Sequence, residues 1–99
     1  MTPAQKDLAT AGEPFRLILF VAGQEPNSVL ARQNLQCLCQ EHFPGRHTIE
    51  IIDVFQNLEA AFKHNIIITP TLLKVAPDPP ATVFGNLSDA QKVMHALRP

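Results

Sequence analysis

Two cysteines, Cys37 and Cys39, stand two residues apart, and Ser28, Asp53 and four histidines (His42, His47, His64 and His95) complete the set of side chains able to do chemistry at neutral pH. A thiol pair suggests redox exchange or metal binding. The spacing is C-x-C, however, and on a helix residues two apart point roughly 200° away from each other. A disulfide between them would need a distorted backbone. The simpler reading is that one or both fill core volume, and a redox or metal pair is the competing one. The histidines lack an H-x-x-x-H partner and no C-x-x-C accompanies them, so they read as surface residues. Ser28 has no strong base beside it in sequence, and Asp53 reads as a carboxylate capping a helix N-terminus. There is no glycine-rich phosphate loop. Types and spacing therefore assemble no active site, and neither a cofactor nor a metal is expected.

The 99 residues, 45% of them hydrophobic, suit one small core. Residues 1–14 have no periodicity and read as a flexible N-terminal tail, leaving 15–99 as a single domain. No apolar run approaches the roughly 20 residues that span a bilayer. "MTPAQKDLATAGEP" has no apolar segment of signal-peptide type, so a soluble cytoplasmic protein is expected. Eight basic and nine acidic residues give a net charge of −1, with no footprint for nucleic acid or anionic membrane. Without tryptophan or tyrosine, a stacking platform for bases is not expected.

Hydrophobic patterning predicts the elements that would position these side chains. "FRLILFVAG", residues 15–23, is a continuous apolar run ending at glycine and predicts a buried strand. A helix over residues 28–42, capped by Asn27 or Ser28, is stopped by Pro44 and Gly45. Residues 46–55 are β-branched and predict strand two. Asn57 caps a short helix, "LEAAFKH", with Leu58, Ala61 and Phe62 on one face. "NIIITPTLLKV", residues 65–75, predicts strand three with Pro70 near its start. "APDPP" forces a turn, and "ATVFG" forms strand four. "LSDAQKVMHAL" is a helix with a Ser88–Gln91 capping box and an apolar face of Ala90, Val93, Met94 and Leu97.

The order β-α-β-α-β-β-α, with strands one and two parallel and strands three and four a hairpin, resembles the α/β thioredoxin-like layout. Pro70 sits where that fold places its cis proline, so a cis bond is expected there. A thioredoxin's reactive cysteine follows the first strand, where a helix N-terminus lowers its pKa. Here that stretch is "AGQEPNS", without cysteine. Cys37 and Cys39 lie toward the other end of the helix, where the dipole works against a thiolate.

Four blocks carry a more specific resemblance. "LFVAGQEPNSVLA", "IEIIDVFQN", "ITPTLLKVAPDPP" and "VFGNLSDAQKV" are similar, in order and without gaps from about Phe15 to Leu97, to segments of the KaiB family. The resemblance implies a non-enzymatic clock or timing protein that binds a hexameric KaiC-type ATPase and modulates its phosphorylation state. It also implies sequestration of KaiA, competition with a sensor histidine kinase whose input domain is thioredoxin-like, and self-association as a dimer or tetramer. Finally it implies metamorphism, in which a ground-state fold and a thioredoxin-like fold differ in the C-terminal half. Gly23, Pro26, Asn27 and Ser28 match the loop opening the first helix, and Lys74 matches a basic position of strand three; these are the expected partner-binding residues. Pro70, Pro77 and Pro79 match prolines of the switching half. Gly85, Asn86, Leu87, Ser88 and Asp89 match the segment governing the choice of fold, with Asn86 where aspartate is common.

Departures mark a divergent homologue. Ala81 and Thr82 replace the family's paired arginines, Phe62, Lys63 and His64 replace an acidic patch, and Arg98-Pro99 stands in place of an acidic tail. Charge contacts with a KaiC-type ring are expected to be weaker, which acts mainly on specificity and association rate. Two other readings compete. One is a thioredoxin-like redox or stress-response protein using Cys37 or Cys39, which requires a thiol pKa well below 8. The other is a detached sensory domain of a two-component kinase. Between the two KaiB-type folds, the well-capped last helix favours the thioredoxin-like one.

Overall fold

A computed structural model describes residues 14–98. The tail expected over residues 1–14 lies outside the described residues except for Pro14, and so does Pro99. The chain runs β1 (Phe15–Val21), α1 (Pro26–His42), β2 (His47–Asp53), α2 (Leu58–Lys63), β3 (Thr71–Ala76), β4 (Ala81–Phe84) and α3 (Ala90–Leu97). This is the expected order. The four strands form one sheet, ordered β2-β1-β3-β4. β1 pairs parallel with β2 and antiparallel with β3, which forms the antiparallel hairpin with β4. A register shift between Arg16 and Leu17 leaves Val75 opposite no residue of β1.

Alternation along the strands divides the apolar side chains between two faces. Phe15, Leu17, Leu19 and Val21 of β1, Leu72 of β3 and Val83 of β4 pack with Ala31, Leu35, Leu38 and Cys39 of α1 and with Val93 and Leu97 of α3. The rings of Phe15 and Phe43 stack at 3.9 Å and close the far end of this core. Phe20 points to the other face, where it is fully buried beside His64 at a ring separation of 5.4 Å.

Four local expectations are corrected. α1 begins at Pro26, and its cap is Glu25, whose carboxylate accepts the Ser28 N–H at 3.1 Å. Proline suits this first position because its ring presets the helical φ and it lacks an N–H that would have no partner there. β3 begins at Thr71 rather than Asn65. The Ile66 N–H returns to the Ala61 carbonyl, Asn65 has φ +57°, and Thr71 Oγ1 donates to the Ile68 carbonyl at 2.7 Å. These bonds close turns rather than a strand ladder, and Ile67 is 91% exposed. Within α2, capped by Asn57 as expected, only Ala61 is buried; Phe62 is 76% exposed, because a six-residue helix turns too little surface toward the sheet. α3 is capped by Asp89, whose carboxylate accepts the Lys92 N–H at 3.1 Å. The Ser88–Gln91 box does not form, since the Ser88 N–H donates to Asn86 Oδ1 at 3.0 Å. Ala90 is exposed, whereas Val93 and Leu97 are buried as expected. The Thr69–Pro70 bond is cis, as expected, and so are Ala76–Pro77 and Asp78–Pro79.

Candidate functional site

β1 and β2 are parallel and β3 runs opposite, so the C-terminal ends of β1 and β2 meet the start of β3 and the end of β4. Three loops therefore converge at one end of the sheet: 22–25 after β1, the Pro70 turn before β3, and 85–89 before α3. Gly23, at φ +52°, lies in the left-handed region, and the Phe55 ring sits 3.5 Å from where a Cβ would be. Asp53 Oδ1 accepts from the N–H groups of Gly23 (3.2 Å) and Phe55 (2.9 Å), tying the first loop to the end of β2. Its expected capping role is thus played toward two loops. Ser28 is fully buried, and its Oγ accepts the Ala22 N–H at 3.0 Å.

Asn86 joins the 85–89 loop to α1. Its Oδ1 accepts the Ser88 N–H, which fixes the amide so that Nδ2 faces Asn27 and donates to Asn27 Oδ1 at 3.2 Å. Its carbonyl accepts from Asn34 Nδ2 at 2.8 Å. The Gly85 N–H donates to the Pro70 carbonyl at 3.0 Å. Gly23, Pro26, Asn27, Ser28, Pro70, Gly85, Asn86, Ser88 and Asp89 are thereby brought to one end of the molecule.

Lys74, Pro77 and Pro79 are not among them. The β3–β4 turn carries both prolines at the opposite end. Lys74 is 1% exposed, and its Nζ donates to the Leu97 carbonyl at 2.7 Å and lies 5.9 Å from the centre of the Phe15 ring. In this fold the expected partner-binding lysine has no surface to offer and fastens the C-terminus of α3 instead. Glu25 and Asn34 were not legible as site residues. Glu25 carried a faint signal, lying just ahead of a first-position proline, and Asn34 carried none.

At this end the Ser28 hydroxyl and the Asp53 and Glu25 carboxylates accept backbone N–H groups. Cys39 is buried in α1, and burial pushes its thiol up to about 11, away from the low value a redox thiol requires. Cys37 is exposed on the same helix, far from the loops. Among the described residues no group of three or more His, Cys, Asp or Glu side chains is placed to hold a metal, and no helix is long and apolar enough to cross a membrane.

Residues 18–99 match the family model described as the KaiB domain. The chain belongs to the KaiB family. The circadian clock oscillator protein KaiB of Microcystis aeruginosa is 43% identical over 81 residues, covering 82% of this chain and 78% of that protein. The KaiB of Gloeothece citriformis is 40% identical over 88 residues, covering 89% and 83%. Among solved structures, a chloroplastic thioredoxin z superposes with a TM-score of 0.72 at 23% identity, covering 97% of this chain and 88% of that one. The N-terminal domain of Synechococcus elongatus SasA superposes with a TM-score of 0.70 at 22% identity, covering 86% and 84%. This KaiB-family chain therefore has a thioredoxin-like α/β fold, and it lacks a cysteine in the loop after β1.

Proposed function

We propose that this chain is a KaiB-type timing protein that binds a hexameric KaiC-type ATPase and modulates its phosphorylation state by contact alone, without catalysis. The observation that carries this reading is the junction at residues 85 and 86, where Asn86 ties the 85–89 loop to α1 and the Gly85 N–H ties it to the Pro70 turn, giving one pre-organised end. Gly23, Pro26 and Asn27 form its contact surface, and Ser28 holds that surface from beneath. In this proposal the half built from β3, β4 and α3, which contains Pro70, Pro77, Pro79 and residues 85–89, is the part that adopts the family's second arrangement. Two packings of one sequence coexist when they differ by only a few kcal/mol. Lys74 belongs to the same half and would reach a partner only in that other arrangement.

The test is size-exclusion chromatography with light scattering, of the chain alone and with the host's KaiC-type ATPase and ATP, followed for hours. Co-elution, lost when Asn27 is changed to arginine, is expected. Separate elution of the two proteins under all conditions, including with a phosphomimetic ATPase, would overturn the reading.

A further inference from the structure

The last residue of α1 and one face of α3 border a cleft of about 340 Å³. α1 contributes His42, and α3 contributes Ala90, Gln91, Met94 and His95, with its cap Arg98. Residues three and four apart are neighbours on a helix surface, so positions 90, 91, 94, 95 and 98 form one continuous stripe. His42 and His95 are exposed, and Met94 is half-buried, packed against the core. No carboxylate lines the cleft, because Glu41, beside His42 in the chain, lines a separate groove with Cys37 and His47.

We propose that this cleft binds a soft monovalent metal ion, copper(I), through the imidazoles of His42 and His95 with the Met94 thioether as third donor. Imidazole nitrogen and thioether sulfur are donors that Cu(I) favours. Calcium and magnesium need several oxygen ligands, and among its side chains the cleft offers only the Gln91 amide oxygen. The donor set holds just two His, Cys, Asp or Glu side chains, in keeping with the absence of any group of three among the described residues.

Charge selects the same ion. α1 ends at His42 and α3 at Leu97, and a helix C-terminus carries roughly half a negative elementary charge. Two such ends draw in a cation and repel a phosphate or carboxylate. Arg98 works the other way, and its guanidinium repels a divalent ion about twice as strongly as a monovalent one at the same distance. A single positive charge is therefore the one best suited to the cleft.

The test is an anaerobic titration of Cu(I), kept reduced by ascorbate, into the full chain in competition with the chromogenic chelator bicinchoninate. NMR of the histidine rings and methionine methyls is recorded alongside. The titrated chain carries Cys37→Ser, since the exposed thiol would also take the metal, whereas Cys39 is buried. Expected is uptake of one equivalent, with the Met94 methyl and both ring signals shifted. His42→Ala and His95→Ala should each weaken binding about tenfold or more, Met94→Leu should weaken it several-fold, and Arg98→Gln should tighten it. Both histidines are exposed, so their replacement should leave the far-UV circular dichroism unchanged, and the NMR shifts probe the site with both rings in place. Signals that stay still on adding Cu(I), uptake that survives both histidine changes, or the same signals moved by inorganic phosphate instead would each overturn the proposal. In those cases the histidines and Arg98 serve only to balance the helix ends.

Discussion

Lys74 shows how one residue's type can mislead about its place. Its stem lies among core side chains while its ammonium holds the last carbonyl of α3. Lys74→Ala should lose about 2–4 kcal/mol in denaturant unfolding through the cavity it leaves, whereas Lys74→Met, which refills the space, should lose far less. The two buried titratable groups also act in opposite directions at alkaline pH. Burial lowers the lysine from its ordinary 10.5, opposed by the nearby Asp78 carboxylate. Approaching pH 10.5, the unfolded chain then holds more protons than the folded one, and stability rises with pH. Burial raises Cys39 from its ordinary 9.0 to about 11, so its contribution is complete below 9.0 and is lost as pH climbs toward 11. Unfolding measured across this range should show the falling limb removed in Cys39→Ala and the rising limb removed in Lys74→Met. A shared alkaline profile in wild type and both variants would refute the assignment. Neither burial was legible in the sequence, because an apolar run does not say which polar member the tertiary packing will enclose.

The helix ends carry the sharpest test among the elements. "LSDAQK" offers two capping residues in succession, and the chain uses the second. Asp89→Ala should cost about 1 kcal/mol of stability, while Ser88→Ala, whose hydroxyl caps nothing, should stay within about 0.5 kcal/mol. Thermal or denaturant unfolding of the two variants separates them, and the reverse order would restore the Ser88–Gln91 box. Element order and strand directions were readable because prolines and glycines punctuate distinct apolar runs. Boundaries were less so. Ile66, Ile67 and Ile68 are as apolar as a buried strand, yet the Ile66 N–H closes a turn on the Ala61 carbonyl of α2 and the Ile68 carbonyl accepts from the Thr71 hydroxyl, which periodicity in a short run cannot reveal. The same limit applies to Phe62, whose helical spacing predicted a buried face that a helix this short does not provide.

For the whole molecule, the loop end joins positions 59 residues apart in sequence where Asn86 meets Asn27. Asn86→Ala removes the side-chain links from the 85–89 loop to α1 and to Ser88. It should weaken capture of a KaiC-type ATPase several-fold in a titration while costing about 1–2 kcal/mol of stability; unchanged affinity would show that the junction does not shape the contact. The family blocks made most of these positions visible in the sequence, but their convergence comes from strand order, which brings β3 between β1 and β4. That order has a consequence for synthesis. β1, α1 and β2 can associate as soon as residue 53 has left the ribosome, since each needs only its neighbours in the chain. The second side of β1 must wait for β3, and Leu72 reaches Leu19 only after another twenty or so residues have been added. A nascent chain therefore passes through an interval in which its central strand is an outer one, with a bare row of backbone groups. This is the moment at which chaperones, or a neighbouring nascent copy on the same message, would compete for it.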